Sequence, residues 1–145
     1  MKLEGGCACG AVRFVAEGAP WRVGLCHCMT CRKAGGSIFN AFAIYPRAAV
    51  RTTGTTAIWR SSEHGRQHFC PACGSPVFAQ DVGGDETELP LGAFDEPDRF
   101  RPTYEGFVGR RESWLPPLPG VRQYAGNREG PGRTEPGCSE PGTTE

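Results

Sequence analysis

Seven of the eight cysteines in this 145-residue chain fall into three short clusters, which are Cys7 and Cys9, then Cys26, Cys28 and Cys31, then Cys70 and Cys73. Closely spaced thiolates are typical metal ligands, because zinc needs its sulfur ligands about 2.3 Å from one centre. The N-terminus lacks the apolar segment of a secretory signal, so we expect a cytoplasmic protein. In that reducing compartment dense cysteines indicate metal binding rather than disulfides.

The first and third clusters are each followed by glycine, in Cys7-Ala-Cys9-Gly10 and in Cys70-Pro-Ala-Cys73-Gly74. A tight turn at such a spacing can point both thiols the same way. Neither pair fills a tetrahedron, but two pairs together do. We therefore predict a closed structural zinc site formed by Cys7, Cys9, Cys70 and Cys73.

The middle cluster has three cysteines and no evident fourth ligand. Three protein ligands and one open position are the coordination of a catalytic metal, so a substrate thiol or water could complete the site. His27 lies between Cys26 and Cys28, and neighbouring side chains of an extended turn point apart. We expect His27 to support the ligands rather than to be one.

Spacing alone leaves other arrangements open. Cys26 and Cys28 could instead join Cys70 and Cys73, and one zinc with free thiols, an iron–sulfur cluster or disulfides are further alternatives. Cys138 stands alone near the C-terminus and is interpreted as an incidental exposed thiol.

The elements that must position these cysteines are predicted to be β-strands. Apolar runs bounded by Gly and Pro indicate strands near residues 12–16, 38–45, 55–60, 76–80, 88–94 and 104–108. No long apolar stripe of helical period occurs, and one or two helical turns after Cys31 are the best helix candidate. Residues 81–98 carry seven carboxylates and no base, which indicates a solvated loop around a short strand.

Composition bounds the domain and its partners. We predict one folded domain over residues 1–125 and a disordered tail over 126–145, because the tail has no aliphatic or aromatic side chain to bury. The 16 basic and 16 acidic residues balance, so a nucleic-acid partner is not expected. The longest segment free of Asp, Glu, Lys and Arg has 14 residues, too few for a membrane span.

The three clusters and their neighbours resemble a known family. The segments Gly5-Gly6-Cys7-Ala8-Cys9-Gly10, Cys26-His27-Cys28-Met29-Thr30-Cys31-Arg32-Lys33 and Phe69-Cys70-Pro71-Ala72-Cys73-Gly74 carry the resemblance. They are similar to the glutathione-dependent formaldehyde-activating enzymes, also called the centromere protein V family, which have the Mss4-like fold. Trp114 and Leu118-Pro119-Gly120 extend the resemblance to about Tyr124.

The resemblance implies an all-β domain of packed antiparallel sheets with zinc knuckles. It also implies a structural zinc on the four paired cysteines and a labile active-site zinc on Cys26, Cys28 and Cys31. Many members have a histidine in the segment where this chain has Tyr104, which keeps a hydrogen-bonding tip but loses base chemistry at neutral pH. Arg32 and Lys33 could meet the two carboxylates of glutathione.

The function expected from these patterns is that of a zinc-dependent carbon–sulfur lyase. A glutathione thiolate at the open position would add to formaldehyde, giving S-hydroxymethylglutathione, or the adduct would be cleaved in reverse. Cys26, Cys28 and Cys31 are the predicted catalytic residues, with Arg32, Lys33 and Tyr104 as substrate-binding residues. The alternative is a non-catalytic zinc module that binds protein, metal or a small thiol.

Overall fold

Short β-strands form most of the regular structure in residues 1–129, the part of the chain that the computed structural model describes. The strands are β1 (Lys2–Gly6), β2 (Arg13–Glu17), β3 (Arg22–Cys26), β4 (Asn40–Pro46), β5 (Val50–Thr53), β6 (Ala57–Arg60), β7 (Gly65–Phe69), β8 (Pro76–Asp81), β9 (Glu86–Pro90), β10 (Tyr104–Gly106) and β11 (Arg122–Gln123). The same residues contain one α-helix, α1 (Met29–Gly35), and three single-turn 3-10 helices, Arg47–Ala49, Leu91–Ala93 and Val108–Arg110. None of the described helices is long and apolar enough to cross a bilayer. Cys138 and residues 130–145 of the predicted tail lie outside the described residues.

The strands form two sheets. Strands β1, β2 and β5 make a three-stranded antiparallel sheet with β2 in the middle. The other sheet has eight strands in the order β11-β10-β3-β4-β9-β8-β7-β6. The predicted all-β fold of packed antiparallel sheets is confirmed, with one exception: β10 runs parallel to both of its neighbours, β3 and β11.

Strand β4 shows why the larger sheet has side chains packed on both faces. Its successive residues Phe42, Ala43, Ile44 and Tyr45 are all buried. Successive side chains of a strand point to opposite faces. Ala43 and Tyr45 accordingly belong to the main core, whereas Phe42 and Ile44 pack in a second cluster with Tyr104. The apolar run that predicted this strand therefore reflects burial on both faces.

The parallel pairing of β10 with β3 brings a late part of the chain to the middle cysteine cluster. Gly106 of β10 lies opposite Cys26 of β3, and the backbone N–H of His27 donates to the carbonyl of Gly106 at 3.1 Å. Two positions earlier, the ring of Tyr104 packs where a side chain on Gly24 would stand. The close approach needs glycine, since an added Cβ would lie 2.5 Å from the Tyr104 ring.

The helix and strand β9 have bounds other than those predicted. The helix begins at Met29, before Cys31, because the Cys28 sulfur caps it by accepting the Cys31 backbone N–H at 3.3 Å. The strand predicted over residues 88–94 spans Glu86–Pro90 and passes into a 3-10 helix. Pro90 has no N–H to continue the ladder, which explains the earlier end.

Candidate metal centres

The first and third cysteine clusters meet at one end of the molecule. The two pairs follow β1 and β7, and their sulfur atoms all lie within 4.8 Å of one another in the set Cys7, Cys9, Cys70 and Cys73. The turns close through Gly10 and Gly74, whose φ angles of 82° and 78° belong to the left-handed region that favours glycine. The structure thus joins two turns that are about sixty residues apart in the chain.

The geometry of this group fits a tetrahedral metal. The Cys9 sulfur lies 3.6 Å from that of Cys7 and 3.7 Å from that of Cys70. Ligands about 2.3 Å from a tetrahedral zinc are about 3.8 Å from each other. Hydrogen bonding from Ser75 lowers the pKa of Cys73 to about 5. At Cys9 a hydrogen bond from the Ala11 backbone is outweighed by those with the other three cysteines, which raise the pKa of Cys9 to about 11. The four donors are therefore compatible with a closed thiolate site.

The second group sits where β3 passes into α1. Cys26 ends β3, Cys28 caps the helix, and Cys31 lies in its first turn. Their three sulfurs are also within 4.8 Å of one another, and all three side chains are partly exposed. Among the described residues no fourth Cys, His, Asp or Glu ligand atom joins this group. The donor set is three thiols facing an accessible side.

Ionisation of one of the three thiols disfavours ionisation of the other two. A hydrogen bond with Cys31, above all, lowers the pKa of Cys26 to about 6, against the effect of burial. The pKa of Cys31 is raised by its hydrogen bond with Cys26 and then by burial, and burial chiefly raises that of Cys28. Gathering three negative sulfurs needs a compensating cation, and a divalent metal would supply it.

A buried hydrogen bond between His27 and Glu105 lies next to the middle cluster. The His27 ring is fully buried, and its Nε2 lies 2.8 Å from Oε1 of Glu105, which is 1 % exposed. The other oxygen of Glu105 accepts hydrogen bonds from Gln123 Nε2 at 2.6 Å, the Leu118 backbone N–H at 3.2 Å and Arg111 Nη2 at 3.3 Å. Burial raises the pKa of Glu105, but these hydrogen bonds and the Arg111 charge outweigh it and lower the pKa.

This arrangement ties the C-terminal segment of the domain to the cysteine turn. His27 is absent from the grouped metal ligands, in keeping with its expected supporting role. Glu105 was not singled out by the sequence, because a glutamate between Tyr104 and Gly106 in a short strand carries no motif. Only the parallel register of β10 beside β3 places it under His27.

A cleft of about 530 Å³ lies between the two cysteine groups. Cys31 reaches it from the middle cluster, and Ala8 and Ser75 border it from the turns of the four-cysteine group. Phe39 and Phe78 contribute aromatic walls. An open three-thiol group beside a concave, partly apolar cavity is an arrangement suited to a small ligand.

Glu88 is a further cleft residue that the sequence did not reveal. It lies on β9, and its Oε1 accepts a hydrogen bond from Asn40 Nδ2 at 2.8 Å. Burial, and then the Cys26 charge, raises the pKa of Glu88 to about 7. The sequence predicted a solvated acidic loop around a short strand, and did not indicate that this strand would lie between two others. Strand β9, however, pairs with both β4 and β8, and this places Glu88 inside the sheet.

The three predicted substrate-binding residues are spread over different surroundings. Arg32 is held by Glu112 at 2.6 Å and by the carbonyls of Ile38 and Arg110, both at 3.3 Å. Lys33 is exposed and lines a neighbouring cavity of about 500 Å³, which shares Ala34, Gln67 and Pro76 with the cleft. Tyr104 is buried, and burial raises its pKa to about 12. The structure does not bring the three together, and their role in binding stays a prediction.

Comparison with known proteins places the chain in a family. Residues 2–110 match the model of the family described as glutathione-dependent formaldehyde-activating enzyme. A Halomonas elongata protein named after this enzyme is 32% identical over 111 residues, covering 70% of this chain and 71% of that protein. An uncharacterized lyase of Schizosaccharomyces pombe is 31% identical over 77 residues, covering 53% of this chain and 56% of the relative.

The fold is also found in a solved structure. A crystal structure of a Rhodobacter sphaeroides protein superimposes with a TM-score of 0.54 at 20% identity, covering 64% of this chain and 88% of that chain. The family match ends at residue 110, so the segment around Trp114 and residues 118–120 lies beyond it. The match contains all seven clustered cysteines. By sequence match, fold and cysteine arrangement, the chain belongs to the glutathione-dependent formaldehyde-activating enzyme family.

Proposed function

We propose that this protein is a zinc-dependent carbon–sulfur lyase that forms or cleaves an adduct between a small thiol, such as glutathione, and an aldehyde. The observation that carries the proposal is the open group of three thiols, Cys26, Cys28 and Cys31, with Cys31 facing the cleft. A purely structural metal site has no need of an unfilled coordination position beside a cavity. The family name and the lyase name of a relative support the same class of reaction.

The reaction needs a thiolate and an aldehyde in one cavity. The sulfur lone pair attacks the carbonyl carbon, a carbon–sulfur bond forms, and the thiol proton ends on the former carbonyl oxygen. With formaldehyde and glutathione the product is S-hydroxymethylglutathione. A zinc ion at the three cysteines would supply the positive charge that holds a fourth thiol as a thiolate at neutral pH. The cleft walls hold the two reactants close together.

Each cysteine group has its own proposed role. Thiolate-rich sets without oxygen ligands favour zinc among the common divalent metals. The four-cysteine group would hold the structural zinc, and Cys26, Cys28 and Cys31 would hold the catalytic zinc. The reducing conditions that keep these thiols free would be those of the cytoplasm. Arg32, Lys33 and Tyr104 remain the proposed substrate-binding residues.

Exchange NMR spectroscopy tests the activity. The rate of thiol–formaldehyde adduct exchange is measured with wild type, with Cys28→Ser and with the matched control Cys138→Ser, which changes the one cysteine outside the clusters. Wild type and the control should accelerate exchange above the buffer rate, and Cys28→Ser should not. Equal rates in buffer and with wild type would contradict the proposal. Thiol binding without acceleration would support the non-catalytic module instead.

A further inference from the structure

The cleft beside Cys31 can carry only neutral or negative charge from its lining. Among the described residues that line it, Cys31 and Glu88 are the ionisable ones, and no Lys, Arg or His takes part. Either residue is neutral when protonated and negative when not. The charge of the cleft lining is therefore zero or negative, and never positive, whatever the protonation of these two residues.

The nearest basic side chains are directed elsewhere. Both terminal nitrogens of Arg22 contact the Glu86 carboxylate at 2.7 Å, in a second cavity that adjoins the cleft at Glu88. Arg32 is held by Glu112 and two carbonyls, and Lys33 lines the neighbouring cavity without belonging to the lining of the cleft. Substrate carboxylates would thus enter the cleft without a cationic partner from its walls.

Glu88 is the group that can recognise charge. Asn40 donates to one of its oxygens, and the ion pairs of the described residues do not include it. Burial disfavours the charged form of Glu88 and, with the Cys26 charge, raises its pKa, although the Asn40 hydrogen bond and the more distant Arg22 charge act in the opposite direction. An ammonium group placed in the cleft would stabilise this carboxylate.

We infer that the cleft selects small thiols that are uncharged or carry an ammonium group, with Glu88 recognising the cation, and that it disfavours thiols bearing carboxylates. The apolar walls at Phe39, Phe78 and Pro90 suit the short hydrocarbon body of such a molecule. The inference rests on the proposed function for the chemistry but names a different preference within it, and it replaces the proposed contacts of Arg32 and Lys33 with substrate carboxylates. Glutathione has two carboxylates and one ammonium, so it would bind less well than a small thiol without carboxylates.

Binding of three small thiols tests this preference without aldehyde. The probes are 2-(dimethylamino)ethanethiol, 2-mercaptoethanol and mercaptoacetate, whose polar ends are cationic, neutral and anionic. Ligand-observed NMR gives the Kd of each for metal-loaded wild type, Glu88→Gln and the control Glu63→Gln. Glu63 is exposed and outside the cleft lining, so its variant makes the same charge change elsewhere. For each thiol, the Kd of the variant is divided by the Kd of wild type, so that differences in intrinsic thiol affinity between the probes cancel.

We expect Glu88→Gln to weaken binding of the cationic thiol by about two- to five-fold and to strengthen that of the anionic thiol by a similar factor. The neutral thiol and the Glu63→Gln control should change little. Unchanged ratios in Glu88→Gln, or tighter binding of the anionic thiol by wild type, would overturn the inference. If the Glu88→Gln variant does not fold, wild type provides the test: raised salt should increase the Kd of the cationic thiol and decrease that of the anionic thiol. If the expected order of thiol affinities is found but adduct exchange is not accelerated, the proposed function is wrong and the inferred charge preference stands.

Discussion

The carboxylate of Glu105 offers a sharp test of how the middle cysteine cluster is supported. Replacing it with glutamine keeps the shape but removes the charge that receives four hydrogen bonds, one from the buried His27 ring. The amide NH₂ cannot accept, so at least one donor loses its partner. We expect both the stability of the domain and the metal affinity of the cluster to fall.

The size of the effect follows from these contacts. A buried donor left without a partner costs about 1–3 kcal/mol, and each hydrogen bond that is kept weakens by about 1 kcal/mol when its acceptor becomes neutral. Removing the charge also removes its desolvation cost, which offsets part of the loss. A net destabilisation of about 3 kcal/mol results, the size of one or two lost hydrogen bonds to a charged group. This corresponds to a fall in Tm of about 10 °C.

Calorimetry and metal titration measure the two consequences separately. Groups that orient metal ligands typically change metal affinity by about 10- to 100-fold, so the cluster next to His27 should weaken by that factor while the four-cysteine group keeps its affinity. The control is Glu112→Gln, which removes the partly exposed carboxylate paired with Arg32 and should cost under about 1 kcal/mol. Equal stability and equal metal affinity in Glu105→Gln and wild type would refute the supporting role.

Three further predictions follow from other parts of the structure. Elemental analysis should find two metal ions per chain, one of them lost readily to chelator or glutathione, and a single tightly held ion would contradict the open site. Gly24→Ala should destabilise the fold by about 1–3 kcal/mol in denaturant titration, because its Cβ would meet the Tyr104 ring at 2.5 Å; an unchanged midpoint would show that β3 and β10 can separate at no cost. Because burial raises the pKa of Tyr104 to about 12, the stability that its neutral form contributes should be complete below about pH 10 and lost as pH rises towards 12. Tyr104→Phe should remove that part of the pH dependence of unfolding, and a variant with an identical alkaline profile would exclude Tyr104 as its source.

The sequence alone determined the inventory of candidate metal ligands and the class of fold. Cysteine spacing is local, and a pair closed by glycine predicts a turn with both thiols on one side, as at Cys7 and Cys70. The apolar run before Pro46 likewise predicted the buried strand β4, since strand burial is expressed in consecutive residues. The pairing of two distant turns into one four-cysteine group was a hypothesis among alternatives until the structure brought their sulfurs together.

The surroundings of the middle cluster were decided by tertiary structure only. Glu105 lies 78 residues from His27 in the chain, and Glu88 lies 48 residues from Asn40. Neither glutamate has a local signature, because what makes each one important is the strand register that places it beside a distant partner. The sequence could show that three thiols are available for chemistry. The charge that supports them from behind and the charge that faces the cleft depend on which strands become neighbours, and this is settled by the packing of the whole domain.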